Sequence, residues 1–367
     1  MTEEERALLS LSLIPHIGPV IIKQLVHHFG SAQQIFKTPK SKLARIQGIG
    51  PKLSNAVHTT VVQNETDRIL RESDKHKIVI HFYHSESYPK RLKRVQDSPV
   101  VLYSRGNVEL NPKKSIGIVG TRKATRYGIK TTNSIVIDAQ PSQPTIISGL
   151  AFGIDVKSHR AAIESHLPTI AVLACGVDHI YPATHQSTGL KILENGGLLS
   201  EYPVGTRADP RYFPARNRIL AAMCDALIVV EAASKGGALI TANIAHSYDR
   251  PVFAVPGELD STYSEGCNKL IRTMRASIYT KFDDVIQELN WDLAKENRQQ
   301  ELFSQLASLK GMEKRVVEVL MKNNQQMHVD ELANQTQYNS AELAHLLLQL
   351  EFKGLIRPLP GKEYKVC

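Results

Sequence analysis

Between residues 112 and 290 the sequence alternates short apolar runs with helix-forming segments. The apolar runs occur in KSIGIVGT, PTIISGL, PTIAVLACG, GLLSEYP, ALIVVEAA and PVFAVPG. Strands that are buried on both faces have this composition, and the crossover helices between them build a parallel sheet. The alternation therefore predicts a doubly wound, Rossmann-like α/β sheet. In such sheets ligands bind at the carboxyl ends of the strands, so the loops that follow the strands are candidates for a site.

Helical segments precede this sheet. Residues 1–75 contain short helical patterns joined by glycine turns, and LARIQGIGPKLSNAV (43–57) has the hydrophobic-Gly-hydrophobic-Gly turn of a helix-hairpin-helix. Backbone N–H groups at such a turn bind DNA phosphates. A plain helix–helix turn also needs glycines for its backbone angles, which is the alternative. We assign residues 1–75 to a helical helix-hairpin-helix domain.

The sheet domain is predicted to span residues 76–290, because KIVIHFY and PVVLYSRG add two strand-like runs before the alternating region. Residues 291–309 are polar and contain several glutamines, which is typical of a linker. Residues 310–367 contain three helical patterns followed by LIRPLPGKEYKV, which has the form of a two-stranded wing. This order predicts a C-terminal winged helix.

The net charge of +9 is unevenly distributed. Residues 1–114 carry 18 Lys and Arg against 10 Asp and Glu, residues 115–290 carry 17 against 16, and residues 291–367 carry 10 of each. The basic N-terminal part favours contact with a polyanion, whereas a binding face in the middle part requires its charges to segregate. The balanced charge of the C-terminal part favours protein contact or packing over DNA reading.

Several classes of protein and site are disfavoured. No apolar stretch reaches the length of a membrane span, and the acidic N-terminus MTEEERALLS is unlike a secretory signal. The four cysteines are scattered, which argues against a zinc site or a disulfide framework and predicts a cytoplasmic location. We expect no metal and no cofactor. His76, His81 and His84 lack zinc spacing, and we expect them to be solvated.

The loop after the first strand of the alternating region, GIVGTRKATRYG, combines a glycine turn with fixed positive charge. A strand, a glycine turn and a helix start form an anion cradle, and Arg122 and Arg126 suit phosphate through bidentate hydrogen bonds. The glycine spacing differs from the dinucleotide fingerprint, and Ser148 and Gly149 stand where the ribose-binding acid is expected. The alternative is a tight turn with solvated arginines.

A second glycine loop lies in VVEAASKGGALITAN (229–243). Gly236 and Gly237 permit close approach of a ligand to the backbone at a helix start, and Lys235 adds positive charge. The segment resembles the helix start of phosphoribohydrolases related to lysine-decarboxylase-like proteins, in which a glutamate acts on a ribosyl bond. Asn243 stands where that glutamate is expected. The resemblance therefore implies a phosphate cradle without the obvious catalytic group.

The stretch RYFPARNRI (211–219) joins aromatic and cationic side chains just before an apolar run. We predict a loop that reaches the binding edge of the sheet, with Arg216 and Arg218 binding phosphates. Tyr212 or Phe213 would stack on a base, which contributes about 1–3 kcal/mol per base whatever the sequence. The alternative places Phe213 in the core and the arginines in ion pairs with neighbouring aspartates.

The segments GIVGTR, SGLAFGID, GGLLSEYP, FPARNRI, VVEAASKGGALITA, VFAVPG and SEGCNKLI occur in the order found in DNA-processing protein A. Over residues 80–290 the chain resembles this DprA/Smf family. The resemblance implies an extended Rossmann-like domain that binds single-stranded DNA (ssDNA) without strong sequence preference and without chemistry. It further implies a homodimer through that domain, and loading of the RecA recombinase onto incoming strands during natural transformation.

The loops and the resemblance together define a set of candidate ssDNA-binding residues. They are Gly120, Thr121, Arg122, Arg126, Ser148, Gly149, Phe213, Arg216, Asn217, Arg218, Lys235, Gly236, Gly237, Thr241 and Asn243. The family often has Lys-Ser-Gly-Ser before Leu-Ile-Thr-Ala, whereas residues 235–238 of this chain are Lys-Gly-Gly-Ala. Two serine hydroxyls are therefore absent, so direct phosphate binding here depends on backbone N–H groups. Asp249 stands where the family usually has glycine, at a turn away from the pocket.

The leading hypothesis is therefore a cytoplasmic ssDNA-binding protein that is not an enzyme. The alternative is a nucleotide phosphoribohydrolase-like enzyme that uses the same phosphate cradle, with Asp155, Glu201 or Glu231 supplying the acid. Asp155 and His159 have the spacing of a possible catalytic fragment, but no nucleophile or third partner accompanies them. Their i,i+4 spacing on a helix favours a cap and an internal hydrogen bond.

Overall fold

The computed structural model describes residues 1–44, 46, 51–57, 60–291, 309, 311–322, 326–359 and 361–366. These residues belong to two compact units, 1–290 and 291–367. Apart from its two end residues, the predicted linker at 291–309 lies outside the described residues. The glycine pair of the predicted hairpin turn, Gly48 and Gly50, lies outside them as well.

The N-terminal part is helical, as predicted. Its helices are α1 (Glu3–Ser12), α2 (Pro19–Phe29), α3 (Ala32–Lys37), α4 (Lys40–Leu43), α5 (Pro51–Val57) and α6 (Thr60–Lys75). A capping box begins α1, because the Thr2 hydroxyl accepts the Glu5 N–H while the Glu5 carboxylate accepts the Thr2 N–H. Buried side chains of these helices, among them Leu9 and Ile35, share one core with Phe82 and Val101 of the sheet. Residues 1–75 therefore pack directly on the sheet.

The sheet of the first unit has nine strands among the described residues. They are β1 (Val79–Phe82), β2 (Val101–Gly106), β3 (Ser115–Val119), β4 (Thr145–Ser148), β5 (Thr169–Val172), β6 (Gly196–Ser200), β7 (Ala226–Val229), β8 (Val252–Ala254) and β9 (Ser277–Ile278). Their order across the sheet is β1-β2-β6-β5-β4-β3-β7-β8-β9. The seven strands β3 to β9 all pair in parallel with their neighbours among themselves. At one edge, β2 pairs antiparallel with β6, and β1 pairs antiparallel with β2.

Helices cover both faces of this sheet. They are α7 (Lys90–Lys93), α8 (Arg126–Ala139), α9 (Ile154–Glu164), α10 (Gln186–Ile192), α11 (Tyr212–Met223), α12 (Gly237–Ser247), α13 (Glu265–Arg272) and α14 (Phe282–Glu288), with 3-10 turns at Gln140–Ser142 and Ala183–His185. The predicted doubly wound, Rossmann-like sheet is confirmed. The chain winds outward from β3 through β6 and then resumes at β7 on the other side of β3, so the winding direction reverses between β3 and β7. A crevice at this switch point is the expected ligand site.

We predicted that the stretch RYFPARNRI is a loop, and this prediction is wrong. The stretch forms the start of α11. Pro214 occupies the first helical turn, where a missing N–H costs nothing because that group would have no partner within the helix. Helical winding carries Ile219 and Leu220 into the core, so the segment is anchored from its apolar side. The helix therefore presents its aromatic and cationic residues from a rigid element.

The expectation of solvated histidines is wrong for His81. Its side chain points into the interior from β1, where its ring nitrogens form hydrogen bonds with the hydroxyls of Ser87 (3.0 Å) and Ser104 (2.7 Å). Burial lowers the pKa of His81 to about 4, so the ring is neutral near pH 7. His81 and its neighbour Phe82 are both buried at the end of β1, and the two serines satisfy the ring nitrogens of His81.

The second unit is a winged helix, as predicted. It consists of α15 (Gly311–Lys322), β10 (Gln326–His328), α16 (Val329–Thr336), α17 (Ser340–Phe352), β11 (Ile356–Leu359) and β12 (Glu363–Val366). The strands form a small sheet in the order β10-β12-β11, and the wing is the β11–β12 pair. Val316, Leu320, Leu347 and Ile356 lie in its core. Across the described parts of both units, no helix is both long enough and apolar enough to cross a membrane.

Candidate functional site

A cavity of about 540 Å³ opens at the carboxyl ends of β3, β4, β5 and β7. It lies where the winding of the sheet reverses, and we call it the switch-point cavity. The loop after β3, the loop after β4, the start of α11 and the start of α12 all contribute to its walls. Four segments that are distant in sequence therefore meet at one place because parallel strands end at the same edge.

Most of the candidate residues line this cavity. They are Gly120, Thr121, Arg122, Gly149, Phe213, Arg216, Asn217, Lys235, Gly236, Gly237 and Thr241. The structure thus brings together the RYFPARNRI stretch and the two glycine loops, of which the second begins at Lys235, more than a hundred residues after Arg122 in the first. Their role in binding stays a prediction.

The loop after β3 is held in place by Glu231. The Thr121 N–H donates to the backbone oxygen of Glu231 (2.7 Å), and the Thr125 N–H and hydroxyl donate to its carboxylate. A side chain at Gly120 would place its Cβ 2.5 Å from a carbon of Ile154, so only glycine permits this approach of the loop to α9. Arg122 is exposed on this fixed loop and is available to a ligand.

Arg216 forms the floor of the cavity. Its side chain is buried; Nη1 donates to the carbonyl oxygens of Gly149 (2.7 Å) and Val172, and Nε donates to Asn217 Oδ1 (3.1 Å). Burial lowers the pKa of the Arg216 guanidinium, and the nearby Asp155 carboxylate opposes that change. Arg216 therefore joins two strand ends and α11, and it adds positive charge beneath the cavity.

Gly149 is required by the same arrangement. A Cβ at this position would lie 2.5 Å from Nη2 of Arg216 and 2.5 Å from Oδ2 of Asp155. Burial raises the pKa of Asp155, while Arg216 and backbone N–H groups of the β4 loop oppose the rise. The polar atoms of the floor are thus closely packed around a glycine.

Of the two aromatic side chains at the start of α11, the one that faces the cavity is Phe213. The guanidinium carbons of Arg122 and Arg216 lie 5.3 Å and 5.9 Å from the centre of its ring, within the range of cation–π attraction. Tyr212 instead stacks on Tyr202, with ring centres 4.2 Å apart, and does not line the cavity. The side chain of Phe213 is only half-buried, so it is not the core residue of the alternative hypothesis.

The start of α12 supplies further attraction for an anion. Gly236 precedes the helix without a side-chain cap, so the first N–H groups of α12 lack a side-chain acceptor. These groups and the helix dipole favour negative charge, and the exposed Lys235 stands beside them. The Thr241 hydroxyl donates to the Gly237 carbonyl (2.9 Å), so its hydrogen bond is made within α12.

Four candidate residues lie outside the cavity. Arg218 pairs with Glu201 through Nη2 and donates from Nη1 to the Asp97 carbonyl (2.8 Å). The buried Ser148 hydroxyl donates to the Ile118 carbonyl (2.6 Å). These contacts fasten the framework around the cavity.

The other two are Arg126 and Asn243. Arg126 is exposed at the start of α8, and Asn243 accepts a hydrogen bond from Arg275 (2.8 Å) in a separate groove. We expected a hydrogen bond between the side chains of Asp155 and His159, but within the described residues 60–291 these two side chains do not form one. His159 instead bonds Thr169 (2.7 Å).

Sequence reasoning missed two residues of the cavity rim. Phe152 and Tyr181 both line the cavity, and each side chain is 49% exposed. The available signal was a large aromatic residue in a loop that follows a strand, in SGLAFGID and in the long loop after PTIAVLACG. Among the described residues, no group of three or more His, Cys, Asp or Glu is arranged to hold a metal ion.

Residues 79–290 match the family described as DNA recombination-mediator protein A, which is more than half of the chain. The chain belongs to this family. The DprA/Smf resemblance predicted from the motifs is therefore confirmed. Residues 6–70 match the helix-hairpin-helix motif, and residues 304–362 match the DprA winged helix domain, which agrees with the predicted flanking regions.

Individual relatives of this DprA/Smf chain span much of its length. It is 35% identical to Protein Smf of Synechocystis over 276 residues, covering 74% of this chain and 69% of that protein. The DNA processing protein DprA of Bacillus subtilis is 40% identical over 206 residues, covering 56% of this chain and 69% of its own length.

Two solved structures of DNA processing protein A are also similar. The one from Streptococcus pneumoniae has a TM-score of 0.67 and 30% identity, and the match covers 78% of this chain and 98% of that one. The one from Helicobacter pylori, described for its single-stranded DNA binding mode, has a TM-score of 0.52 and 29% identity. That match covers 58% of this chain and 99% of that one.

Proposed function

We propose that this protein binds ssDNA in the switch-point cavity without strong sequence preference. The observation that carries the proposal is the placement of Arg122, Lys235 and the start of α12 around the ring of Phe213. The two cations and the helix N–H groups suit backbone phosphates, and an aromatic face suits any base. The H. pylori relative, whose structure concerns ssDNA binding, supports the assignment.

A single strand suits this geometry better than a duplex. Phe213 lies within a cavity, and a base reaches it only after leaving its neighbours in a stack. Strands without pairing partners present such bases without the cost of opening a duplex. Phosphate contacts carry no sequence information, so affinity depends on charge and stacking more than on base identity.

The contacts of the three candidate acids favour a binding protein over an enzyme. The carboxylate of Glu231 accepts from Thr125, and that of Glu201 accepts from Arg218. Asp155 lies in the cavity, but it is buried beside the Arg216 guanidinium. We infer that these carboxylates hold the site together, and release of free base from nucleoside monophosphates would contradict this inference.

We further propose that the protein is cytoplasmic, forms a homodimer through the Rossmann-like domain and loads RecA onto ssDNA in natural transformation. The family description as a recombination mediator supports the loading role. The β9 edge of the sheet supports the homodimer, because Ile278 is 48% exposed and Met274 is 91% exposed there. Sedimentation should give twice the 40.8 kDa chain mass, and the protein should speed RecA assembly on ssDNA.

The proposed function is tested by titrating labelled homopolymeric strands while fluorescence anisotropy is recorded. We expect the four homopolymers to bind with affinities within about tenfold of one another, because stacking and phosphate contacts tolerate any base. Unlabelled duplex of the same length should compete poorly. A protein that prefers duplex, or that binds no strand at low salt, would rule out the switch-point cavity as an ssDNA site.

The two neighbouring aromatics of α11 should differ in their effect on binding. Phe213→Leu should weaken ssDNA binding about 5- to 100-fold, because it removes a ring that stacks on a base. Tyr212→Leu should leave affinity nearly unchanged, because Tyr212 stacks on Tyr202 away from the cavity. The same anisotropy titration measures both variants. If both variants lose the same amount of ssDNA affinity, then α11 has a different orientation in the complex than in this structure.

A further inference from the structure

Two more aromatic side chains, Phe152 and Tyr181, stand at the mouth of the switch-point cavity. Both line the cavity, and both are 49% exposed. One exposed apolar side chain needs no explanation. Two large aromatic side chains beside the same cationic cavity indicate a ligand with flat, apolar surfaces of its own.

The scaffold holds each of these rings from one side and leaves the other open. The ring of Phe152 packs edge-on against His185 at 4.8 Å, and the Nδ1–H of His185 donates to the Leu150 carbonyl (2.9 Å). The ring of Tyr181 packs edge-on against Phe213 at 6.1 Å. Because these contacts restrict the rings before a ligand arrives, little side-chain entropy is lost on binding.

The charges around the rings identify the occupant. The charged side chains that line the cavity are Arg122, Lys235, Arg216 and Asp155, and the two exposed ones are the cations Arg122 and Lys235. Cations beside exposed aromatic rings match a polyanion that carries aromatic groups. An apolar protein segment would leave both cations without counter-charges.

We propose that Phe152 and Tyr181 form an aromatic ledge on which bases flanking the one at Phe213 stack. The ligand class is the nucleobase of a single strand, with no preference among the four bases. The inference rests on the proposed ssDNA function and extends it from one stacked base to a run of neighbouring nucleotides. Tyr181 acts through its ring face, so its hydroxyl is dispensable.

The test compares Phe152→Leu and Tyr181→Leu with wild type in ssDNA titrations. Each variant should lose affinity about 5-fold or more, which is the effect of removing one base–aromatic stack. Tyr181→Phe should restore wild-type affinity because it keeps the ring. Tyr127→Leu is the matched control, since Tyr127 is also 49% exposed but does not line the cavity. Thermal melting of each variant checks that the fold is retained.

Strands with abasic sites show whether the ledge contacts bases. Wild type should bind a strand with abasic sites flanking one central base more weakly than the intact strand, and the double variant Phe152→Leu/Tyr181→Leu should bind both strands equally. An abasic penalty of the same size in the double variant would overturn the ledge. The ledge would also be overturned if Phe152→Leu and Tyr181→Leu bound ssDNA as tightly as the control Tyr127→Leu. A Tyr181→Phe variant with the same affinity loss as Tyr181→Leu would overturn it as well.

Failure of the ledge can be distinguished from failure of the proposed function. If wild type binds ssDNA and Arg122→Ala weakens that binding while the ledge variants do not, only the ledge is wrong. If wild type does not bind ssDNA, the proposed function is wrong. Loss of binding to a protein partner by the ledge variants, with ssDNA affinity unchanged, would reassign these rings to protein docking.

Discussion

Arg218→Ala is expected to lower the free energy of unfolding by about 3–5 kcal/mol, the cost of removing one partner of a buried ion pair. The side chains of Arg218 and Glu201 are only 14% and 15% exposed, so the substitution leaves the Glu201 carboxylate buried without its cation. The hydrogen bond from Arg218 to the Asp97 carbonyl is lost as well. Because Arg218 lies outside the cavity, ssDNA affinity of the folded variant should change by less than about threefold, within the effect of one surface charge.

Chemical denaturation at several pH values measures this effect. Burial raises the pKa of Glu201, and Arg218 opposes the rise. Without Arg218 the folded-state pKa rises further above the unfolded value, so the stability penalty grows as pH rises through the folded-state pKa. The defect of Arg218→Ala should therefore be smaller at about pH 5 than at about pH 8.

The apolar double variant Arg218→Met/Glu201→Leu provides the control for this ion pair. It should recover much of the lost stability, because apolar side chains of similar size can replace a buried pair. A fully stable Arg218→Ala protein that has lost ssDNA binding would contradict the structural assignment. It would instead support the direct phosphate contact that the sequence suggested.

Arg122→Ala is expected to weaken ssDNA binding by about 10- to 100-fold, because hydrogen bonds to a charged group contribute roughly 1.5–3 kcal/mol. Arg122 is exposed, and its guanidinium lies over Phe213, so one substitution removes a phosphate ligand and a neighbour of the stacking ring. The melting temperature should stay near that of wild type. Anisotropy titrations over a range of salt should show a slope reduced by about 0.7, the effect of one lost contact with a single strand.

Lys130→Ala is the control for the change in charge. Lys130 is exposed on α8 and does not line the cavity, so its removal should reduce affinity only slightly. Equal losses in Arg122→Ala and Lys130→Ala would indicate diffuse attraction to the protein surface and would contradict a site at the cavity.

The sheet and the loops at its edge were predictable because their signals are local. Apolar runs of strand length alternate with helices, and glycines mark the loops that approach a ligand, so the residues from Gly120 to Arg122 and from Lys235 to Gly237 were found without any knowledge of the fold. Parallel strands place such loops at one edge, and the structure confirms that they meet.

Other properties depend on contacts between distant residues. Arg216 and Arg218 are two positions apart on α11, yet Arg216 enters the floor of the cavity and Arg218 pairs with Glu201 on another face. A predicted loop gives no reason for Arg216 and Arg218 to point in different directions. In a helix with 3.6 residues per turn, two residues that are two positions apart lie on different faces. Phe152 and Tyr181 were missed because each is one aromatic in a loop, and only the folded chain places both at one rim.

The location of a bound strand tests the central claim most directly. A strand that carries 5-iodouracil can be irradiated on the protein, and the crosslinked peptides can then be sequenced. We expect crosslinks in the peptide that contains Phe213, and their loss when unlabelled ssDNA competes. Crosslinks confined to residues 1–75 or 310–367, with none at the switch-point cavity, would contradict the account.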